Sequence, residues 1–369
     1  MPSNKVKALG QFFTQNAALY WGDCVELIRA LPDNSIDFTI TSIPFSDQYT
    51  YSPSDHDMGN NVGDDGFFEH LSWMLKDLHR VMVPGRIVAI HCKDRLRYKA
   101  RWGSGGLNPF SDDVTRYMRD AGFSFHARIT IATDPVRELQ QTKRQGLRYM
   151  DIKQDASMCG PGIPEYLMLY RKWDGLPDDR SFSAKPVTHD PNDYTLRRWQ
   201  LEANAIWQSD GKTLPPYNHE ARIAALESGY DLIPHPNGNR DEWHKGAYMG
   251  GKYAGPKVFT EAPHIWIDVD RMNTLNYQVA KEAQDEKHIC PLQIDLIERG
   301  VRLWTNPDDI VLDPFNGIGS VTSTAVRMGR KAVGFELKQS YFDWACKYTT
   351  DAEARRKTET LFGVEAVPA

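Results

Sequence analysis

Short apolar runs alternate with amphipathic stretches through the first 172 residues. Ala18 to Trp21 has the composition of a short strand, and Cys24 to Ala30 that of a helix with Val25, Ile28 and Leu31 on one face. Ile36 to Thr41 is the next strand. Phe67, Leu71, Met74, Leu75 and Leu78 recur at helical spacing, and Pro84-Gly85 turns the chain into a strand from Ile87 to His91. A helix near Asp112 to Asp120 precedes a run in which Phe123, Phe125, Ala127, Ile129 and Ile131 alternate as in a half-buried strand. Glu165 to Tyr170 is a further strand. Toward the end, Ile310 to Leu312, Ser320 to Met328 and Lys331 to Phe335 read as strand, helix and strand.

This alternation implies an α/β fold: a doubly wound, mostly parallel sheet with helices on both faces and ligands at the carboxyl ends of its strands. The stretch from Trp173 to Pro263 breaks the pattern. It is rich in Pro, Gly, His, Asn and Trp and reads as an irregular inserted module. The expected division is therefore 1–172, an insertion over 173–263, a second α/β part over 264–350, and a polar tail over 351–369 that frays after a helical start.

Composition narrows the class. The 369 residues are 41% hydrophobic and 25% charged, as in ordinary globular proteins. No apolar run approaches the ~20 residues needed to cross a bilayer, and the first thirty residues lack the pattern of a secretory signal. The expectation is a cytoplasmic protein without membrane contact. Cys24, Cys92, Cys159, Cys290 and Cys346 are scattered, which favours reduced structural thiols over a metal site or disulfides. The net charge of -5 does not mark a polyanion binder, although the local field matters more than the sum. The stretch containing Lys93, Arg95, Arg97, Lys99 and Arg101 is strongly basic, as is that from Lys143 to Arg148. Alone, each reads as a solvated loop.

Two short segments carry the chemistry. Asp313-Pro314-Phe315-Asn316-Gly317-Ile318-Gly319-Ser320 follows a strand and opens a helix, where Gly317 and Gly319 allow close backbone approach and free N–H groups face a carboxylate. The next strand ends at Glu336, placed to accept hydrogen bonds from ribose hydroxyls. The loop lacks the third glycine of a dinucleotide site and the Lys-Ser/Thr of a triphosphate site. A nucleoside with a charged amino-acid tail fits it better, with Asp313 on the amino group. At the other end, Thr41-Ser42-Ile43-Pro44-Phe45 leaves a strand into a proline-fixed turn. Such a loop can grip a flat, amino-bearing ring: Phe45 offers a face, and the Ser42 hydroxyl and Ile43 carbonyl can accept from an –NH2 group.

These segments resemble the amino-methyltransferases of DNA, whose catalytic motif reads Asp/Asn/Ser-Pro-Pro-Tyr/Phe, in the permuted order of their β group. The resemblance covers roughly residues 18–172 and 264–348 and implies a seven-stranded methyltransferase sheet, S-adenosylmethionine as cofactor and double-stranded DNA as partner; a homodimer is left open. It places Asp23 of Trp21-Gly22-Asp23-Cys24 near the cofactor adenine, and Cys290 and Pro291 of His288-Ile289-Cys290-Pro291-Leu292-Gln293 around its methionine part, beside Asp313, Pro314, Phe315, Gly317, Gly319, Ser320 and Glu336. It makes Ser42, Ile43, Pro44 and Phe45 the catalytic loop, and gives Arg95, Arg97, Lys99, Arg101, Arg197 and Arg198 as candidate DNA contacts. Ile43 departs from the family's first proline, and a somewhat less rigid loop is expected. Serine at the first position favours cytosine N4, with adenine N6 as the close alternative. Methylation of RNA or of a protein amide, and a DNA-binding protein without turnover, are the remaining readings. No metal is implied.

Overall fold

The computed structural model describes residues 8–46, 52–97, 99–133, 149–158, 162–189, 265–266, 269–275 and 292–362. The chain divides into a larger unit, 1–187 with 269–369, and a smaller one, 188–268. In the smaller unit the described residues include one short strand, Ile265–Trp266, named β9 below. The expected contacts Arg197 and Arg198 lie outside the described residues, as do Cys290 and Pro291 and the basic patch at Lys143.

In chain order the larger unit contains β1 (Gly10–Phe13), β2 (Ala17–Trp21), α1 (Cys24–Leu27), β3 (Phe38–Ser42), α2 (Gly63–Val81), β4 (Ile87–Lys93), β5 (Arg95–Arg97), α3 (Lys99–Trp102), β6 (Gly106–Asn108), α4 (Phe110–Asp120), β7 (Ser124–Ile131), α5 (Tyr149–Asp155) and β8 (Glu165–Arg171). After the smaller unit come α6 (Ile294–Trp304), β10 (Ile310–Asp313), α7 (Ser320–Arg327), β11 (Lys331–Glu336) and α8 (Gln339–Phe362). The main sheet runs β1-β2-β11-β10-β3-β4-β8-β7. From β2 to β4 neighbouring strands are parallel, and β8 and β7 close that side antiparallel. The stretch from β2 to β7 is the expected seven-stranded sheet, with β1 added as an antiparallel edge strand.

This order explains the site. β3 and β10 come from segments some 270 residues apart, yet pair in parallel with Phe38 opposite Val311 and Thr39 opposite Leu312. The two motifs therefore leave adjacent strands at the same edge of the sheet. Parallel strands buried on both faces require continuous apolar sequence, and Phe38, Ile40, Val311 and Leu312 are all buried. At the opposite end of these strands, Arg86 ion-pairs with Asp309 and donates to the Asp37 carbonyl at 2.8 Å, while Lys185 Nζ bridges Asp37 and Asp309 at 2.9 and 2.6 Å.

One expectation is corrected. The alternation through β7 is interrupted by a bulge between Phe125 and Ala127. Phe123, Ile129 and Ile131 are buried, whereas Phe125 is exposed and meets Tyr170 edge-on at 6.0 Å. An extra residue in one strand reverses the side-chain alternation beyond it. The tail beyond Thr350 has the expected helical start, with α8 continuing to Phe362. Ala352 and Glu353 are buried there, because the Glu353 carboxylate accepts from Thr14 Oγ1 at 2.6 Å and from the Asn16 backbone and side chain at 2.7 and 3.0 Å.

Candidate active site

Asp313 ends β10 and is buried. Its Oδ1 accepts from the Thr41 hydroxyl at 2.6 Å and from the Phe315 amide at 3.0 Å. The first of these bonds ties the two motifs together directly. Burial pushes the Asp313 carboxyl up to about 7, against the lowering effect of both bonds. Glu336, at the end of β11, accepts from the Gly317 amide through Oε2 and from the Lys338 amide through Oε1, each at 2.8 Å. Burial raises it to about 7 as well; the two amide bonds oppose the rise, and the Asp313 and Asp57 charges add to it. A buried Asp313 and a half-buried Glu336, both with raised pKa, suit a partially or fully positive ligand.

Between these acids the loop turns on glycine. Gly317 and Gly319 have φ of 52° and 91°, in the left-handed region, and Gly319 caps α7. A Cβ on Gly319 would lie 2.9 Å from the Ala345 Cα, and one on Gly334 would lie 2.6 Å from the Asn316 side chain. Glycine is therefore needed to bring α8 and β11 against the loop. Ser320 begins α7, and among the described residues its buried hydroxyl has no partner.

A cleft beside this loop is lined by Asp23, Pro44, His56, Pro314, Phe315 and Glu336, among others. Asp23 caps α1 by accepting from the Val25 amide at 2.9 Å, and its second oxygen pairs with His56 Nδ1 at 2.8 Å. Acids for the ribose and amino groups, apolar rings and an unpartnered hydroxyl at a helix N-terminus together fit S-adenosylmethionine. When bound, it supplies an electrophilic methyl group on a sulfonium. Asp313 would hold the amino group, Glu336 the ribose, and the cleft at Asp23 the adenine side.

A pH dependence follows. A cationic amino group binds the Asp313 carboxylate and not the protonated acid. Cofactor affinity should be full above about pH 7 and fall as the pH drops below it. Without cofactor the sign for stability is the reverse. A carboxyl raised by folding stabilises the fold at low pH, and that contribution is lost as pH rises from about 4, its unfolded value, through about 7. Saturating cofactor should therefore raise Tm more at pH 8 than at pH 6. An equal shift at both, measured by calorimetry, would remove Asp313 from cofactor binding.

On the other side of the Thr41 bond, Ser42 ends β3 half-buried. Ile43 is 2% exposed and packs in the main core, so its side chain ties the loop to the core. Phe45 is half-buried, its ring tilted against Phe110 at 6.2 Å. Ser46 follows with φ 52°, strained for a non-glycine residue, and among the described residues its buried hydroxyl has no partner. The Cys24 thiol borders the cleft, but burial and the Asp23 and Glu336 charges push its pKa well up, so it is no ready nucleophile.

The basic stretch is partly engaged. Arg95 is ion-paired to Asp64, which also accepts from Asn108, and this fixes the β5–β6 hairpin to the start of α2. Arg97 is exposed and lies 5.4 Å from the centre of the Trp102 ring. Lys99 is exposed, and the Arg101 side chain is outside the described residues.

Sequence reasoning missed His91 and Glu165. Parallel register sets Ser42 beside His91, whose Nδ1 is 3.1 Å from Ser42 Oγ. His91 Nε2 is 3.1 Å from Glu165 Oε2, and Glu165 is further held by Arg271 and by Gln293 Nε2 at 3.4 Å. Burial pushes the Glu165 carboxyl up, but the hydrogen bond from His91 and the Arg271 and Lys93 charges prevail and bring it to about 2. The sole sequence signal was polar residues at the ends of apolar strands.

The chain and its fold are similar to those of known proteins. The type II methyltransferase M.BamHI of Bacillus amyloliquefaciens is 22% identical over 88% of this chain, which spans 56% of the length of that protein. The fold resembles the cytosine-N4-specific PvuII DNA methyltransferase, with a TM-score of 0.53 at 15% identity, covering 95% of this chain and 97% of that one. It also resembles a Thermus thermophilus protein solved in complex with S-adenosyl-L-methionine, with a TM-score of 0.50 at 19% identity, covering 92% and 96%. The family model described as DNA methylase, for N6 and N4 methyltransferases, matches residues 36–347, most of the chain, and the protein belongs to that family.

Proposed function

We propose that the protein transfers a methyl group from S-adenosylmethionine to the exocyclic amine of a flipped base in double-stranded DNA, with cytosine N4 as the preferred atom. The observation that carries this reading is the 2.6 Å bond from Thr41 to Asp313, which holds the Ser42 loop against the cofactor loop. A ring amine bound at Ser42 is thereby brought beside the methionine end of the cofactor cleft.

An exocyclic amine is a poor nucleophile because its lone pair is delocalised into the ring. Hydrogen bonds from its protons to Ser42 Oγ and the Ile43 carbonyl draw the nitrogen toward tetrahedral geometry and stabilise the charge that develops on it. Positioning supplies much of the rest. The base must leave the duplex to reach the loop, with Phe45 offering a partial stacking face. No covalent base adduct is needed, in keeping with the neutral Cys24 thiol. The preference for cytosine rests on serine at position 42. Adenine N6 is the second reading, because the family model spans both chemistries. Residues 173–263 are the candidate target-recognition segment, with Arg97 and Lys99 as exposed cations on the larger unit.

Labelled methyl transfer from S-adenosylmethionine to duplex DNA, RNA and protein, run in parallel, tests the substrate class. Label should enter DNA; label confined to RNA or protein would overturn the reading.

A further inference from the structure

A serine hydroxyl has one proton to donate and two lone pairs with which to accept. To accept from a target amine, its proton must be directed elsewhere. An aspartate at the same position needs no such partner, because an ionised carboxylate only accepts. A serine site therefore requires a nearby acceptor that takes the hydroxyl proton and leaves the lone pairs free.

We propose that His91, held in one tautomer by Glu165, accepts the Ser42 hydroxyl proton and so presents the Ser42 oxygen to the target amine as an acceptor. The inference rests on the reading of Ser42 given above. Its polarity is fixed from the outside inward. Arg271 and Gln293 can only donate to Glu165 through their N–H groups. Glu165 is an ionised acceptor, so the ring nitrogen facing it at 3.1 Å, Nε2, carries the proton. In the neutral imidazole Nδ1 is then bare, and Ser42 Oγ at 3.1 Å must donate to it. His91 and Glu165 side chains are each 8% exposed, so water competes little for these bonds. The charged group against the imidazole is Glu165 from β8; Arg271 pairs with that carboxylate, and the Lys93 charge of β4 acts on it as well. His91 and Glu165 are positioning residues: they act on the base through Ser42.

The test joins kinetics and spectroscopy on the full chain. His91→Gln moves the side-chain amide away from Ser42, toward the place of Nε2, whereas His91→Asn keeps a carbonyl near the place of Nδ1. His91→Gln should slow single-turnover methylation about tenfold, the loss of one hydrogen bond, with Kd for cofactor and DNA unchanged. His91→Asn should recover part of that loss. In a Ser42→Ala background His91→Gln should have no further effect, because the two act as one unit. In the wild-type, cofactor-free protein, nitrogen-15 NMR should find the His91 proton on Nε2. A proton on Nδ1, a wild-type rate in His91→Gln, or an undiminished effect of His91→Gln in the Ser42→Ala background would overturn the proposal. A slow Ser42→Ala with a normal His91→Gln sinks this inference alone. A normal Ser42→Ala sinks the reading of Ser42 along with it.

Discussion

Ser42→Ala should lower the single-turnover methylation rate about 100-fold while cofactor and DNA affinities stay near wild type. The size is that of removing one preorganised hydrogen bond to a charge that develops in the transition state, ~2.7–4 kcal/mol in a well-studied hydrolase. The bond strengthens as charge builds on nitrogen, so its loss falls on the chemical step rather than on binding. Structure gives the change little other consequence. Ser42 lies at the end of β3, its hydroxyl contacts His91, and the loop is held independently by buried Ile43 and by the Thr41–Asp313 bond. Rapid-quench methylation at saturating DNA and cofactor reads the rate, with thermal melting alongside. A wild-type rate would leave the Ile43 carbonyl as the main acceptor. A fall in rate matched by a fall in Tm would make Ser42 a residue that only shapes the turn. Phe45→Ala should differ, since losing a stacking face costs ~1–3 kcal/mol of base binding.

The second large effect is expected of Asp313→Asn. The amide keeps an oxygen to accept from Thr41 and the Phe315 amide, so the loop should remain in place. What disappears is the negative charge opposite the amino group of the cofactor. Removing one member of a buried ion pair costs ~3–5 kcal/mol, a loss of affinity of about 100-fold or more. Stability of the free protein should move the other way. At pH 8 the wild-type carboxylate is ionised in a site whose burial lifts it to about 7, and a neutral amide relieves that burden. Weak cofactor binding with an unchanged or raised Tm is therefore the expected pair of results. Calorimetric titration giving wild-type affinity for a folded Asp313→Asn protein would overturn the assignment.

How much of this was legible in the sequence depends on the range over which each feature is specified. The cofactor loop was, because Asp313, Gly317, Gly319 and Glu336 are set by one strand-turn-helix-strand unit. The Ser42 loop was, because Pro44 fixes it locally. Their adjacency could be read through the family order, and the parallel pairing of β3 with β10 supplies its physical basis. The polarity of Ser42 could not be read, since it depends on three separate segments contributing His91, Glu165 and Arg271. The burial of Ile43 in the core could not be read either, since it depends on residues from several segments of the chain. Arg95 illustrates a further limit. Its charge marks a DNA contact in the sequence, yet Asp64 already engages it. In β7 the bulge at Phe125 broke a periodicity that sequence alone treats as continuous.

The most direct measurement is digestion of the methylated DNA to nucleosides, followed by mass spectrometric identification of the modified base. The expected product is N4-methylcytosine, with the methyl group on an exocyclic nitrogen and none on ring carbon. N6-methyladenine would keep the amino-directed chemistry and reverse the choice of base drawn from Ser42. Methyl groups on cytosine C5, or unmodified DNA from a folded protein that binds the cofactor, would contradict the account.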